Sequence, residues 1–384
     1  MDFTIPEELE TLRRTVRRFV DAELRPLEQG IDEAEHVEAS VLRALRRKSA
    51  EIGLYAHNLP VECGGGGLSM LGTVVVGEEL GRTSMPLNLG VGGFLPEMLT
   101  LARPDQRPWF LDPLVSGEKV IAYAMTEPDA GSDLGGLKTR ALREGNAWVL
   151  NGAKQFVSLV DHAEFIVVLA VTDPAASLKG RFTCFIVDRE NPGFRFLRNI
   201  KKMGWRGSHF CAFALDDCRV GDEAVLGEVG GGFAAIMGTV NRTRIQAGAC
   251  WVGMAEELQL QAVAHAKQRR TFGQLLGEHQ AIQFMLADND VEIEAARLLV
   301  YRAADAVDRG QADARIGASR VKYYCAEMVN RVADRVLQIF GAAGYSRELT
   351  IERMYRDARA YRIGEGSSEM QKIQIARHLL GGRS

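Results

Sequence analysis

Between residues 121 and 230 the hydrophobic period of the chain changes, and that change limits the possible folds more than any other feature. Trp148–Asn151, Phe165–Val171, Phe182–Val187 and Phe210–Leu215 are short runs rich in aromatic and β-branched residues. Turn formers separate them, as in Glu144-Gly145-Asn146 and Asn191-Pro192-Gly193. Short, evenly spaced runs bounded in this way predict the strands of a small barrel or sandwich. Helical patterns lie on both sides. The expected class is α+β in three parts: an N-terminal helical domain over 1–120, a middle β-barrel domain over 121–230, and a C-terminal four-helix bundle over 231–384.

In the first part, Leu9, Leu12, Val16, Phe19 and Val20 share one helix face, and Pro26 ends or kinks that helix. Arg13, Arg14, Arg17 and Arg18 flank the face, but Glu7, Glu8, Glu10, Asp21 and Glu23 offset them. The arginines read as a solvated face and not as a nucleic-acid helix. A second helix is predicted from Ala39 to Ile52 with Gly53 closing it, and a third from Leu71 to Leu80 with Gly81. Gly64–Gly67 reads as a flexible turn. No Gly-Lys-Ser/Thr follows it, so it is not a phosphate loop. In the last part long helices are predicted near 231–267, 277–309, 312–340 and 368–380, broken at Gly310 and Gly341/Gly344.

Several function classes fall away. A net charge of -3 gives no electrostatic footprint for nucleic acid. No apolar run of about 18 residues predicts a membrane span, and the start Met1-Asp2-Phe3-Thr4 is acidic without a signal core. Six scattered cysteines without a CxxC pair read as reduced thiols of a cytoplasmic protein. Seven histidines show neither HxxxH nor HExxH, so no metal site is expected. No strand–GxGxxG–helix unit opens the chain, which argues against a Rossmann nucleotide site.

One carboxylate stands out. In Ile363-Gly364-Glu365-Gly366-Ser367-Ser368-Glu369-Met370-Gln371, Glu365 lies between two glycines. Ser368 and Gln371 have the spacing of a capping box. Met370, Ile373, Ala376 and Leu379/Leu380 follow as the buried face of a helix. Glu365 is then on a tight turn that a ligand can approach, where a carboxylate can act as a general base. An exposed glutamate in a glycine turn is the other reading of the same residues.

The order of parts, together with three stretches, resembles the acyl-CoA dehydrogenase family. The resemblance covers essentially the whole chain, from Phe3 and Arg17-Arg18-Phe19 through Gly53-Leu54 and Glu78–Arg82. Tyr123-Ala124-Met125-Thr126-Glu127-Pro128-Asp129-Ala130-Gly131-Ser132-Asp133 is similar to the family's flavin-contacting loop. Arg269-Arg270-Thr271-Phe272-Gly273 with His279-Gln280 is similar to its segment that reaches a neighbouring subunit's cofactor. Tyr355-Arg356-Asp357 through Gly366-Ser367 is similar to its catalytic-base signature.

The resemblance implies FAD as cofactor, contacted by Tyr123, Met125, Thr126, Gly131, Ser132, Phe156, Val157 and Ser158. Hydroxyls and turn N–H groups of that kind suit the polar edge of a flavin ring. Taken alone, Phe156 reads as a core residue. Arg269, Thr271, Phe272, His279 and Gln280 are implied contacts to a second subunit's cofactor, Arg269 to its pyrophosphate. Gln338, Phe340, Gly341 and Ala342 match the segment near the adenosine, and Ser367, Ser368 and Glu369 match contacts beside the base. Ser132, Asn241, Arg244, Gly364 and Gly366 are the implied substrate contacts. Some family members carry the base one position before that arginine. Here the position is Thr243, so the resemblance points to Glu365.

The activity implied by the resemblance is α,β-dehydrogenation of an acyl-CoA. Glu365 takes the α-proton, flavin N5 takes the β-hydride, and the Glu365 N–H helps polarise the thioester carbonyl. Desolvation raises the base's pKa, while the following helix N-terminus lowers it. The family pattern also implies a homo-oligomer, a tetramer, and electron-transfer flavoprotein as acceptor. Departures from the pattern are Gly364 where an aromatic residue is common, Leu159-Val160, and His209-Phe210. They point to a branched, cyclic or otherwise bulky acyl group. Three alternatives stay open: an acyl group on a carrier protein, a flavin monooxygenase or oxidase on the same fold, and a non-catalytic flavoprotein subunit.

Overall fold

The computed structural model describes residues 4–91 and 94–381. Phe3, where the family resemblance begins, lies outside the described residues. The N-terminal part holds α1 (Glu7–Phe19), α2 (Glu28–Ala34), α3 (Ala39–Glu51), α4 (Met70–Leu80), α5 (Met85–Gly90) and α6 (Asp112–Val115). Pro26 does not cut α1 off. The chain first loosens to a π turn over Val20–Leu24 and then tightens to a 3-10 turn over Arg25–Leu27. Val16, Phe19, Val20 and Leu24 stay buried through this change.

Two N-terminal expectations need correction. Arg17 donates to the buried Glu79 carboxylate at 2.7 and 2.8 Å, and Arg13 donates to Tyr301 Oη at 2.9 Å. This face of α1 therefore docks and is not simply solvated. The Gly64–Gly67 turn is close-packed and not loose: a Cβ on Gly65 would lie 2.3 Å from the Leu59 carbonyl oxygen.

The middle part forms one mixed sheet, eight-stranded among the described residues. Its strands are β1 (Ile121–Ala124), β2 (Arg140–Glu144), β3 (Ala147–Ser158), β4 (Phe165–Val171), β5 (Phe182–Asp188), β6 (Phe194–Ile200), β7 (Phe210–Gly221) and β8 (Val225–Leu226). The hydrogen-bonded order is β6-β7-β3-β2-β4-β5-β8, with β1 parallel to β4. The sheet curls around a core of its own built from Trp148, Leu150, Ile166, Val168, Phe185 and Phe213. Its other face packs Phe165, Val167, Phe182 and Ile186 on Leu99, Phe110 and Leu114 of the N-terminal part. Sequence pattern does not reveal β1, β2 and β6. β6 is exposed over most of its length and β2 alternates only weakly, so neither carries an apolar run.

The C-terminal part begins with α7 (Gly232–Gln268) and a small hairpin, β9 (Arg270–Thr271) and β10 (Gln274–Leu275). Then follow α8 (Gln280–Asp308), α9 (Ala314–Phe340), α10 (Ala342–Tyr345), α11 (Thr350–Ala360) and α12 (Ser368–Leu379). α7, α8 and α9 share one core containing Trp251, Leu258, Ile293, Val300, Val329 and Val336. α4 crosses α7 almost backbone to backbone. A Cβ on Gly253 would lie 1.8 Å from the Glu78 carbonyl oxygen, and one on Gly81 would lie 2.0 Å from that of Cys250. That crossing fixes α7, and with it Arg244, against the N-terminal part. Among the described residues no helix is long and apolar enough to cross a membrane.

Candidate active site

Glu365 lies where the chain reverses between α11 and α12. Its φ is 55° and that of Gly366 is 81°. Left-handed backbone is uncommon for a residue with a side chain, and such positions gather at functional sites. Neighbouring elements hold the turn in place. From α7, Arg244 donates through Nε to the Glu365 carbonyl at 2.9 Å and through Nη1 to Asn241 Oδ1 at 3.1 Å. From α12, Gln371 donates through Nε2 to the Gly366 carbonyl at 3.0 Å. On α9, Glu327 Oε1 accepts from Ser368 Oγ at 2.7 Å and from Arg362 Nε at 2.9 Å. Glycine suits position 366 because its φ of 81° is strained for any side chain, and a Cβ would also lie 2.9 Å from Arg244 Nη2 and Gln371 Nε2.

The start of α12 differs from the sequence expectation by one residue. Ser367, not Ser368, is the cap, and its Oγ accepts from the Met370 N–H. Glu327 draws the Ser368 hydroxyl away from the helix end, and Gln371 turns to Gly366 in place of closing a capping box. The buried face also differs. Ser368 and Gln371 are buried and Met370 is half-buried, while Ile373, Ala376, Leu379 and Leu380 are exposed, Leu380 by 86%. Among the described residues of a single chain, nothing covers that apolar row.

Glu365 keeps part of its surface open, yet its carboxyl is desolvated. Desolvation pushes its pKa above the ordinary glutamate value, while the charges of Arg244 and Lys322 pull it back without cancelling the rise. The Tyr123 phenol is pushed well above its usual value, first by the Glu365 charge and then by burial. The tertiary fold thus brings Tyr123, at the root of the 123–133 loop, within electrostatic reach of Glu365. Arg244 and Asn241 complete this group.

A buried ion pair carries the 123–133 loop. Lys154 donates through Nζ to the Met125 carbonyl and to Glu127 Oε1, both at 2.9 Å. The Glu127 carboxylate also accepts from the backbone of Lys138 at 2.6 Å and of Thr139 at 2.9 Å. Gln155 N–H donates to the Thr126 carbonyl at 3.0 Å, which ties the loop to β3. Beyond Glu127 the loop opens, and Gly131 and Ser132 are exposed.

β3 bulges against β7 between Lys154 and Val157. Within the bulge Phe156 takes a φ of 58° and is 49% exposed. Phe156 is therefore not a core residue, because the bulge re-aims its ring outward. Val157 is buried and Ser158 half-buried. An outward aromatic ring on a bulge whose Gln155 N–H holds the Thr126 carbonyl, followed by Ser158 on the same strand, fits a flat ring system with polar edges.

The remaining sequence-predicted residues form a second group. Arg269, Thr271 and Phe272 lie on the β9–β10 hairpin, where His279 meets Thr271 Oγ1 at 2.9 Å and Gln274 Nε2 at 3.1 Å. Phe272 has a φ of 51° and is 99% exposed, and Gln280 is exposed beside it. Gln338–Ala342 end α9 at the same place, where the Phe340 ring stacks on His265 at 4.3 Å. Lys322, whose charge acts on Glu365, and Phe340 are 18 positions apart on α9. At 1.5 Å per residue that is about 27 Å. Within one chain the two groups do not meet.

Sequence pattern passes over Lys154, Glu327 and Lys322 as site residues. Lys322 is fully buried, and its helical neighbours Ala318, Cys325 and Ala326 are apolar. A lysine inside an apolar helical face is the signal that marks it.

Three family descriptions match in chain order: acyl-CoA dehydrogenase N-terminal domain over residues 6–118, middle domain over 122–218 and C-terminal domain over 230–380. The chain is 38% identical to (R)-benzylsuccinyl-CoA dehydrogenase of Thauera aromatica, over 99% of this chain and 97% of that protein. It is 36% identical to 3-(aryl)acrylate reductase of Clostridium sporogenes, over 97% and 99%. Its fold superposes on the glutaryl-coenzyme A dehydrogenase–glutaryl-CoA complex with a TM-score of 0.92 at 33% identity, over 100% of this chain and 98% of that one. The chain belongs to the acyl-CoA dehydrogenase family of FAD-dependent oxidoreductases.

Proposed function

We propose that the protein removes two hydrogens across Cα–Cβ of an acyl-CoA thioester, with Glu365 as the base. The observation that carries this reading is a desolvated carboxylate on a left-handed turn, anchored through its own carbonyl by Arg244 and electrostatically coupled to Tyr123 at the root of the 123–133 loop. The C–H bonds at Cα and Cβ break and a C=C bond forms. The α-proton goes to the Glu365 carboxylate. FAD, when bound, supplies the acceptor for the β-hydrogen and its electron pair. The residues to hold it are Thr126, Ser132, Phe156 and Ser158 from this chain's loop and bulge. The Glu365 N–H donates to the thioester carbonyl, where negative charge develops as the α-proton leaves.

The acyl group is bulky in this reading: branched, cyclic or aryl-bearing. A Cβ on Gly364 would meet only the Ala360 carbonyl oxygen, at 3.8 Å, and Gly364 has no left-handed φ. The position before the base thus leaves open space where a side chain could stand. The relatives from Thauera aromatica and Clostridium sporogenes act, by their names, on benzylsuccinyl-CoA and 3-arylacrylate.

The functional unit is a homo-oligomer, a tetramer, in which the hairpin and the end of α9 serve another copy's cofactor. Three observations support this. Lys322, whose charge acts on Glu365, and Phe340, in the second group, lie about 27 Å apart along α9. Phe272 is fully exposed. Phe284, Val291 and Leu298 form an exposed apolar stripe on α8 at seven-residue spacing, Val291 being 67% exposed. Electron-transfer flavoprotein is the proposed acceptor.

The test is anaerobic addition of straight, branched, cyclic and aryl acyl-CoAs, and of the same acyl groups on a carrier protein, to the FAD-loaded protein, read by the flavin absorbance. Bleaching by one bulky class is the expected result. Bleaching by the carrier-protein thioester alone replaces CoA with a carrier. Bleaching by none, with FAD bound, removes the dehydrogenase reading.

A further inference from the structure

Lys322 is fully buried on α9, and its ammonium has no hydrogen-bond partner among the described residues. Such a group is costly unless a counter-charge or a bound ligand answers it. The charged groups acting on Lys322 are Arg244 from α7, Glu327 from α9, and Glu365 and Glu369 from the base turn and α12. Glu327 is already engaged by Arg362 and Ser368. Glu369 is exposed. Arg244 is a second cation, itself pressed by Arg315 and oriented by the Glu365 carbonyl and Asn241. Tyr123, facing from β1, carries no charge at neutral pH. The Glu365 carboxylate is the counter-charge that remains.

The two cations behind the turn are held differently. The charges of both act on the Glu365 carboxylate, Arg244's more than Lys322's, but Arg244 is also bonded to the Glu365 carbonyl and to Asn241. The Lys322 ammonium makes no hydrogen bond of its own among the described residues, and its helix lies against the turn, where Glu327, five positions on, bonds Ser368 and Arg362 on either side of Glu365. Taking up the α-proton cancels the negative charge that Lys322 favours. Lys322 therefore stabilises the base in its unprotonated resting state, ready for substrate.

We propose that Lys322 is a positioning residue for the base: its buried, unpartnered ammonium holds the Glu365 carboxylate in its ionised form before substrate binds. This rests on the assignment of Glu365 as base. Burial pushes the Lys322 pKa down to about 8, so its own charge is present at neutral pH and fades above that point.

The test follows Glu365 directly. Infrared titration of the FAD-loaded protein identifies its carboxyl band as the one missing in E365Q. In K322M that band should titrate at least one pH unit higher than in the wild type, a tenfold rise in proton affinity, as expected for loss of a nearby opposite charge. K322R should restore the wild-type position. The acid limb of flavin reduction by an accepted acyl-CoA should move with the band. K322Q replaces K322M if the latter does not retain FAD. An unmoved band in the Met or Gln variant overturns the proposal, even if turnover falls. Wild-type protein that no thioester reduces overturns the base assignment instead, while the infrared shift still decides whether Lys322 acts on Glu365.

Discussion

Arg244 donates through Nε to the backbone carbonyl of Glu365 at 2.9 Å, so the arginine fixes the turn of the proposed base through its backbone. α7 and the α11–α12 connection are 121 positions apart in sequence at this contact. Backbone anchoring makes the position of Glu365 insensitive to its protonation state, which suits a group that must gain and lose a proton in each turnover.

Replacing Glu365 with Gln removes the proposed base and keeps the side-chain shape. E365Q should retain FAD and bind acyl-CoA, while flavin reduction slows by about 100- to 10,000-fold, the usual contribution of a general base. Stopped-flow absorbance of the flavin measures this. Near-normal reduction would assign the proton to another group.

The rate of reduction should rise with pH. Desolvation holds the Glu365 pKa above the ordinary glutamate value, so the proton leaves later than from a free carboxyl. The base works only when unprotonated. The acid limb of kcat/KM, which reports the free enzyme, is therefore expected above the usual carboxylate range, and disappears in E365Q with the activity.

Gly364→Tyr should exchange one substrate class for another. The position is open and carries no left-handed strain, so an aromatic side chain can be accommodated without rebuilding the turn. Activity on bulky acyl-CoAs is expected to fall by about 10- to 200-fold relative to short straight chains, the range of pocket-based discrimination. Competition between one substrate of each class measures the ratio.

Lys154→Met should damage the flavin loop from below. It removes the partner of Glu127 and the donor to the Met125 carbonyl, leaving a carboxylate buried. Breaking such a pair from one side costs about 3–5 kcal/mol. Thermal unfolding should shift down by several degrees, and FAD should be lost on gel filtration, with Glu365 itself untouched.

Charged residues on α8 should separate the copies. A double variant, Phe284→Lys with Val291→Lys, changes two exposed positions of the apolar stripe. Light scattering should show a smaller species, and FAD retention should fall because, in the proposed oligomer, each cofactor is held in part by a neighbouring chain. An unchanged mass with FAD in place would remove α8 from the interface.

The sequence by itself determined the order of the helical, β and helical parts and the character of the turn at Glu365. Apolar and helix-forming composition marks α4 and α7, and a continuous apolar run marks β4, because these segments are buried over most of their length, and the glycines around Glu365 mark a turn because only backbone geometry is involved. β6 and the capping of α12 were not legible. β6 is a strand by pairing with β7, not by an apolar run, and Ser368 lost its capping role to Glu327, 41 positions away. Only the tertiary structure decided that Tyr123, Arg244, Lys322 and Glu365 converge, that Phe156 faces outward on a bulge, and that the second residue group lies at the far end of α9. Local pattern encodes which face of a segment avoids water. Which segments meet across that face is set by packing, such as the glycine crossing of α4 and α7, and the desolvation that raises the Glu365 pKa exists only once they have met.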